Sequence, residues 1–171
     1  MGNSLGSVPT VHIAAHNNYQ EIKGVVLISP IGSGIKMINP NIKISTSDLE
    51  EIDMFSNVSK VSSICCPVLL IHGMQDNVIP QSQSQEMLIK IRHVYEWFPR
   101  NGSHSNIITK YRSKFFVKVK TFLEHLNYSL KKSMIDSFKS DNYETSGTTT
   151  NNNKRKECGK NNENCDAQSS N

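Results

Sequence analysis

Long hydrophobic runs are missing from this sequence. No apolar stretch approaches the roughly 18 residues that cross a bilayer, and no charged-then-apolar leader opens the chain. Cysteine is scarce, with 4 in 171 residues, and Cys65 and Cys66 are adjacent, which disfavours a disulfide scaffold. Only 9 glycines and 6 prolines are present, which excludes a collagen-like repeat. Charge of one sign is also lacking. The 19 basic and 15 acidic residues leave a net charge of +4, scattered along the chain, so no nucleic-acid partner is expected. These absences point to a soluble, cytoplasmic protein. The hydrophobic fraction of 36% is low for a compact domain. The shortfall lies after about residue 126, where periodic apolar spacing gives way to Ser, Thr, Asn and Lys.

That shift predicts a domain over residues 1–128 and a disordered polar tail over 129–171, with too little apolar surface to offset the entropy of ordering it. Met134, Ile135 and Phe138 are the residues there able to prolong a helix. Lys154-Arg155-Lys156, Cys158 and Cys165 fall in this tail and read as solvated low complexity rather than as a signal or metal site. Before it, three short apolar runs alternate with helical patterns. Val25–Ile28, Val68–Ile71 and Val94–Phe98 suit strands buried on both faces of a parallel sheet. Val8 to about Tyr19, Gln81–Arg92 and Thr109–Leu126 carry helical spacing, and Asn39–Ser63 is an irregular connection with a short helix or two. The fold class is α/β, with parallel strands alternating with helices. Almost nothing precedes the first helix, so the front half of such a sheet is expected to be missing and Val25–Ile28 to form an exposed edge.

Three motifs carry chemistry. Gly2-Asn3-Ser4-Leu5-Gly6 is Gly-x-Ser-x-Gly, the pattern of a serine on a sharp strand-to-helix turn, where side chains at either flank would collide with the strand and helix. A helix follows it, but no strand precedes it, and alone it fits a flexible terminus equally well. Ile71-His72-Gly73-Met74-Gln75-Asp76 places a carboxylate just past a strand, at the edge where α/β folds keep their sites. Gly102-Ser103-His104 places an imidazole after the next strand. The chain order Ser, Asp, His is that of the α/β-hydrolases. His72, at a strand end, reads as a packing or supporting residue. His12, His16, His93 and His125 form no credible metal site.

With these motifs in place, the segment from Gly2 to Leu126 resembles the C-terminal half of an α/β-hydrolase, starting at the nucleophile elbow. It most resembles the ABHD17-like depalmitoylases, serine hydrolases that remove S-acyl chains from membrane-attached proteins. The resemblance rests on Gly2-Asn3-Ser4-Leu5-Gly6-Ser7-Val8-Pro9-Thr10 and on Ile28-Ser29-Pro30 followed by Ser33-Gly34. It continues through Ser59-Lys60-Val61, Cys66–Gly73, Asp76-Asn77-Val78-Ile79 and Gly102-Ser103-His104. It implies a Ser4 nucleophile, an Asp76 acid and a His104 base, with the Leu5 backbone N–H as one oxyanion donor. The second donor normally follows an early strand that this sequence does not contain. The implied substrate is an acyl ester or an S-acylated protein, and no cofactor or metal is called for. The cysteine-rich segment such enzymes use for membrane attachment is not seen, and Gly6 stands where a myristoylation signal wants Ser or Thr. Peripheral membrane association is expected only of a longer form. The sequence is expected to be an incomplete fragment of such a hydrolase, and a non-catalytic remnant, acting as a binding or structural protein, is the alternative.

Overall fold

The computed structural model describes residues 1–16 and 22–143. The chain divides into two compact units, Met1–Met134 and Ile135–Asn171. In the first, four strands form one sheet in the order β1 (Gly2–Asn3), β2 (Val25–Ile28), β3 (Val68–Ile71) and β4 (Val94–Trp97). All three pairings are parallel, with Gly2 opposite Leu27, Val25 opposite Val68 and Val68 opposite Val94. Helices α1 (Ser7–His16), α4 (Gln81–Leu88) and α6 (Arg112–Tyr143) alternate with the strands. Shorter helices α2 (Gly34–Ile38), α3 (Thr46–Ile52) and α5 (Ile107–Lys110) fill the connections.

Side chains of successive strand residues leave opposite faces of the sheet, and both faces are covered. On one, Val25, Leu27, Val68 and Leu70 pack with Val11 of α1 and Met87 of α4. On the other, Val26, Ile28, Leu69 and Ile71 pack with Ile107, Phe115, Phe122 and Leu126. This double burial is why β2 and β3 read as unbroken apolar runs.

Several expectations change. The serine motif does have a preceding strand, the two-residue β1, and its pairing with Leu27 and Ile28 covers the carboxyl half of β2. Val25–Ile28 is therefore not an outer edge but lies between β1 and β3. β1 and β4 are the two outer strands of the described sheet, and in β4 Tyr95 and Glu96 are exposed, so that strand is not buried on both faces. Helix α4 stops at Leu88, short of Arg92. The helical pattern predicted from Thr109 splits into α5 and α6 at Tyr111. Phe115 and Phe122 of α6 face the sheet, whereas Phe116 and Leu123 point outward. Helix α6 continues past the expected boundary at residue 128 to Tyr143. Leu130, Lys131, Lys132 and Met134 open that stretch, and such residues lose little side-chain freedom in a helix. Tyr19 and the tail features at 154–156, Cys158 and Cys165 lie outside the described residues.

Candidate active site

The loops at the carboxyl ends of the four strands meet on one side of the sheet. Ser4 follows β1 directly and opens a single 3-10 turn, Ser4–Gly6, that feeds α1. Its backbone has φ 52°, in the left-handed region that a residue with a Cβ occupies only when its surroundings hold it there. Gly2 explains part of that restraint. A Cβ on Gly2 would stand 2.5 Å from the Gly6 carbonyl and 2.8 Å from the Ser7 Cα, so strand and helix close against each other. The expected collision at Gly6 does not occur, since a Cβ there would meet nothing within 4 Å. Thr10 Oγ1 also donates to the Gly6 carbonyl, at 2.8 Å, and ties the turn to α1.

Asp76 and His104 are brought together by backbone. The strand pairing of β3 with β4 continues beyond the sheet: His72 N donates to Trp97 O, Met74 N to Pro99 O and Gln75 N to Gly102 O. The two loops thus run side by side, and Gly73 and Gly102 let them touch. The Asp76 carboxylate folds back onto its own loop, with Oδ1 accepting from Val78 N at 3.0 Å and Ile79 N at 2.9 Å. Its Oδ2 lies 2.8 Å from His104 Nδ1. On the other side of the ring, His104 Nε2 lies 2.9 Å from Ser4 Oγ. The three side chains that the sequence motifs single out therefore form one hydrogen-bonded chain, Ser4–His104–Asp76. The Leu5 amide sits in the first turn of a helix, where N–H groups lack an intrahelical acceptor.

Burial alone would raise the Asp76 carboxyl. Hydrogen bonds from the Ile79 amide, His104 and the Val78 amide outweigh it, with help from the nearby Ser29 hydroxyl, and hold the group below the ordinary carboxylate range. Among the described residues the buried Ser29 Oγ has no partner in hydrogen-bond geometry, so its contribution is that of a neighbouring dipole. Ser29 directly follows β2, with φ 44°.

The motif reading did not single out several supporting residues. Ser7 Oγ accepts from Ile31 N and from Asn57 Nδ2, which joins the start of α1 to the loop after β2. Gln83 Oε1 accepts from Gly32 N and Ser33 N. The buried Asp53 accepts from Ser33 Oγ at 2.5 Å and from the Phe55 amide. Apart from the local Asp53–Phe55 bond, these partners are separated by 20 to 51 residues, and no local spacing announces them. Among the described residues, no group of three or more His, Cys, Asp or Glu is placed to hold a metal ion. No helix among them is long and apolar enough to cross a membrane.

A parallel sheet wrapped by helices, with a serine on a left-handed turn, an acid after the third strand and a histidine after the fourth, defines an α/β-hydrolase. Solved structures agree on the fold. An acylaminoacyl peptidase superposes with TM-score 0.57 at 18% identity, over 72% of this chain and 22% of that one. Mouse α/β-hydrolase domain-containing protein 10 gives 0.54 at 16%, over 73% and 61%. The chain is an ABHD17-like α/β-hydrolase. It is 32% identical over 124 residues to α/β-hydrolase domain-containing protein 17C of Xenopus tropicalis, covering 72% of this chain and 37% of that protein. Human protein 17B is 32% identical over 122 residues, covering 71% and 40%. The chain thus spans well under half the length of these relatives. No family model matches it.

The site makes stability depend on pH. Burial lowers the pKa of His72 from its ordinary 6.5, so the folded protein keeps this ring neutral while the unfolded chain protonates it. Asp76 and His104 are the titratable groups facing it, the first favouring its protonation and the second opposing it. Between the folded and unfolded values the unfolded state binds more protons, so stability rises with pH. The His72 contribution is complete above 6.5 and is lost as pH falls below it. The Asp76 contribution persists above 3.8 and is lost as pH falls further, through the lowered folded value. Urea midpoints measured from neutral to acid pH are expected to fall in that order. His72→Gln, which cannot titrate, is expected to flatten the upper part of the fall.

Proposed function

We propose that this chain carries the catalytic residues of a serine hydrolase that cleaves acyl esters and thioesters, S-acylated proteins among them, in the manner of a depalmitoylase. The observation that carries the reading is the hydrogen-bonded chain from Ser4 through His104 to Asp76, with Ser4 on a left-handed turn. Exposed Leu5, Met74 and Val78 support an apolar acyl group, because each lies within two residues of Ser4 or Asp76. The similarity to α/β-hydrolase domain-containing proteins 17B and 17C supports the same chemistry. A cytoplasmic location belongs to this proposal.

In this reading, His104 Nε2 takes the proton from Ser4 Oγ as the oxygen attacks the acyl carbon. Asp76 keeps the other ring proton on Nδ1 and stabilises the imidazolium. The Leu5 amide hydrogen-bonds the developing oxyanion, an interaction whose loss typically costs about 10²–10³ in turnover. His104 then protonates the departing thiolate or alkoxide. A water molecule, deprotonated by His104, next attacks the Ser4 acyl ester and returns the serine and a carboxylic acid.

The test is reaction of the purified chain with a fluorophosphonate, followed by turnover of an S-palmitoylated peptide. A stoichiometric adduct on Ser4 and release of palmitate are expected. A folded chain that forms no adduct would overturn the hydrolase reading in favour of a non-catalytic binding protein.

A further inference from the structure

The mechanism leaves one buried titratable side chain unused. His72 directly follows β3, four residues before Asp76, and is fully buried. Both of its ring nitrogens are engaged. Nε2 lies 2.9 Å from the Ile79 carbonyl, and Nδ1 lies 2.7 Å from Ser84 Oγ. A carbonyl only accepts, so Nε2 carries the proton and Nδ1 is the bare nitrogen that accepts from the Ser84 hydroxyl. The same nitrogen, Nε2, lies 3.3 Å from Asp76 Oδ2, the oxygen that faces His104. The other Asp76 oxygen is already occupied by the Val78 and Ile79 amides.

We propose that His72 is a positioning residue for Asp76: a neutral imidazole strung between Ser84 and Ile79 that closes the 72–80 loop and aims Oδ2 at His104. The arrangement works for three reasons. Ile79 is gripped at both ends of its peptide environment, its N–H by Asp76 and its carbonyl by His72, so the loop cannot open without breaking both. Ser84 belongs to α4, which Gln83 also fastens to the loop after β2, so the ring is anchored to a fixed element. Nε2 also stands 3.3 Å from Oδ2, outside hydrogen-bond geometry, so its N–H dipole favours the carboxylate without displacing the shorter bond to His104. The opposite tautomer would set a bare nitrogen against the Ile79 oxygen and the carboxylate, and a protonated ring would compete with His104 for Oδ2. Burial keeps the ring neutral.

The proposal rests on the triad reading above, so its test carries two readouts. One is the fluorophosphonate rate of the full chain. The other is the downfield NMR resonance of the His104 Nδ1–H, assigned by its loss in His104→Gln, which needs no activity. His72→Leu, which leaves the buried Ile79 carbonyl without its donor, is expected to slow the reaction by about 10- to 100-fold, and to abolish that resonance. His72→Gln, whose amide N–H can occupy the Nε2 position, is expected to restore both. Ile91→Val, a remote packing change, is expected to lower the melting temperature and leave the resonance in place. A folded His72→Leu that reacts at the wild-type rate with its resonance intact would overturn the proposal. If His72→Leu does not fold, His72→Gln decides: recovery supports the proposal, and a folded but slow protein without the resonance defeats it. A folded wild-type chain that shows the resonance yet never reacts would defeat the hydrolase reading and leave the role of His72 to be decided by the resonance alone.

Discussion

Ser4→Ala is expected to abolish fluorophosphonate labelling, His104→Ala to remove nearly as much, and the double variant no more than either alone. The serine oxygen becomes a nucleophile only as His104 Nε2, 2.9 Å away, accepts its proton. Where such residues act as a unit, each loss is on the order of 10⁶ in rate and the losses do not add. Asp76→Asn is expected to cost about 10⁴, as it does where a triad histidine is left in the wrong tautomer. The local geometry says why. The Val78 and Ile79 amides both donate to Oδ1 and require an oxygen there. An asparagine must keep its carbonyl on that side, so its NH2 group faces His104 Nδ1. That nitrogen then has to accept, the ring proton moves to Nε2, and Nε2 can no longer take the proton of Ser4. The same NH2 group also confronts the protonated nitrogen His72 Nε2, 3.3 Å from the wild-type oxygen. Rates are compared with circular dichroism on each variant, so that loss of reaction is separated from loss of fold. Labelling that survives Ser4→Ala would place the nucleophile elsewhere.

The parts of this fold set by continuous local pattern were legible in the sequence. Val25–Ile28 and Val68–Ile71 are unbroken apolar tetrads because both sheet faces are covered, and their type and limits follow from the residues alone. The three side chains of the site were legible for a related reason: each lies just past a strand, and parallel strands deliver those loops to one edge. What could not be read is what the tertiary structure decides. Gly2–Asn3 becomes a strand only because Leu27 and Ile28 lie beside it, and two residues carry no periodicity of their own. Tyr95 and Glu96 are exposed because β4 pairs only with β3 among the described strands, a matter of strand order rather than composition. The supports of the site, Ser84 beneath His72 and Asn57 against Ser7, join residues 12 and 50 positions apart through side chains common on any surface. Gly6 matched the serine motif, yet the crowding expected there is found only at Gly2.

Phe122→Ala is expected to destabilise the Met1–Met134 unit by about 3–5 kcal/mol, the usual cost of removing a buried phenylalanine. That is a large share of the ~5–15 kcal/mol that holds a typical domain together. Phe122 is 2% exposed and packs with Val26, Ile28, Leu69 and Ile71, the α6-facing side of the two central strands. Its ring meets Tyr95 edge-on at 5.4 Å. Collapse around the deletion is limited, because the neighbouring backbone is Gly24, which has no side chain to swing inward. A Cβ on Gly24 would stand 3.1 Å from the Phe122 ring and 2.5 Å from Leu126 Cδ1, so the helix is seated directly on that backbone. Phe116→Ala, six residues earlier on the same helix, removes a ring that is 55% exposed, and is expected to change stability by less than about 0.5 kcal/mol. Urea unfolding followed by Trp97 fluorescence measures both. Equal midpoints for the two variants would show that α6 does not hold the sheet through Phe122. The consequence reaches the site through Ile71, which Phe122 helps to cover and which runs directly into His72 and the loop bearing Asp76. The Phe122→Ala chain should therefore lose fluorophosphonate labelling at the urea concentration where its fluorescence transition begins, and not before.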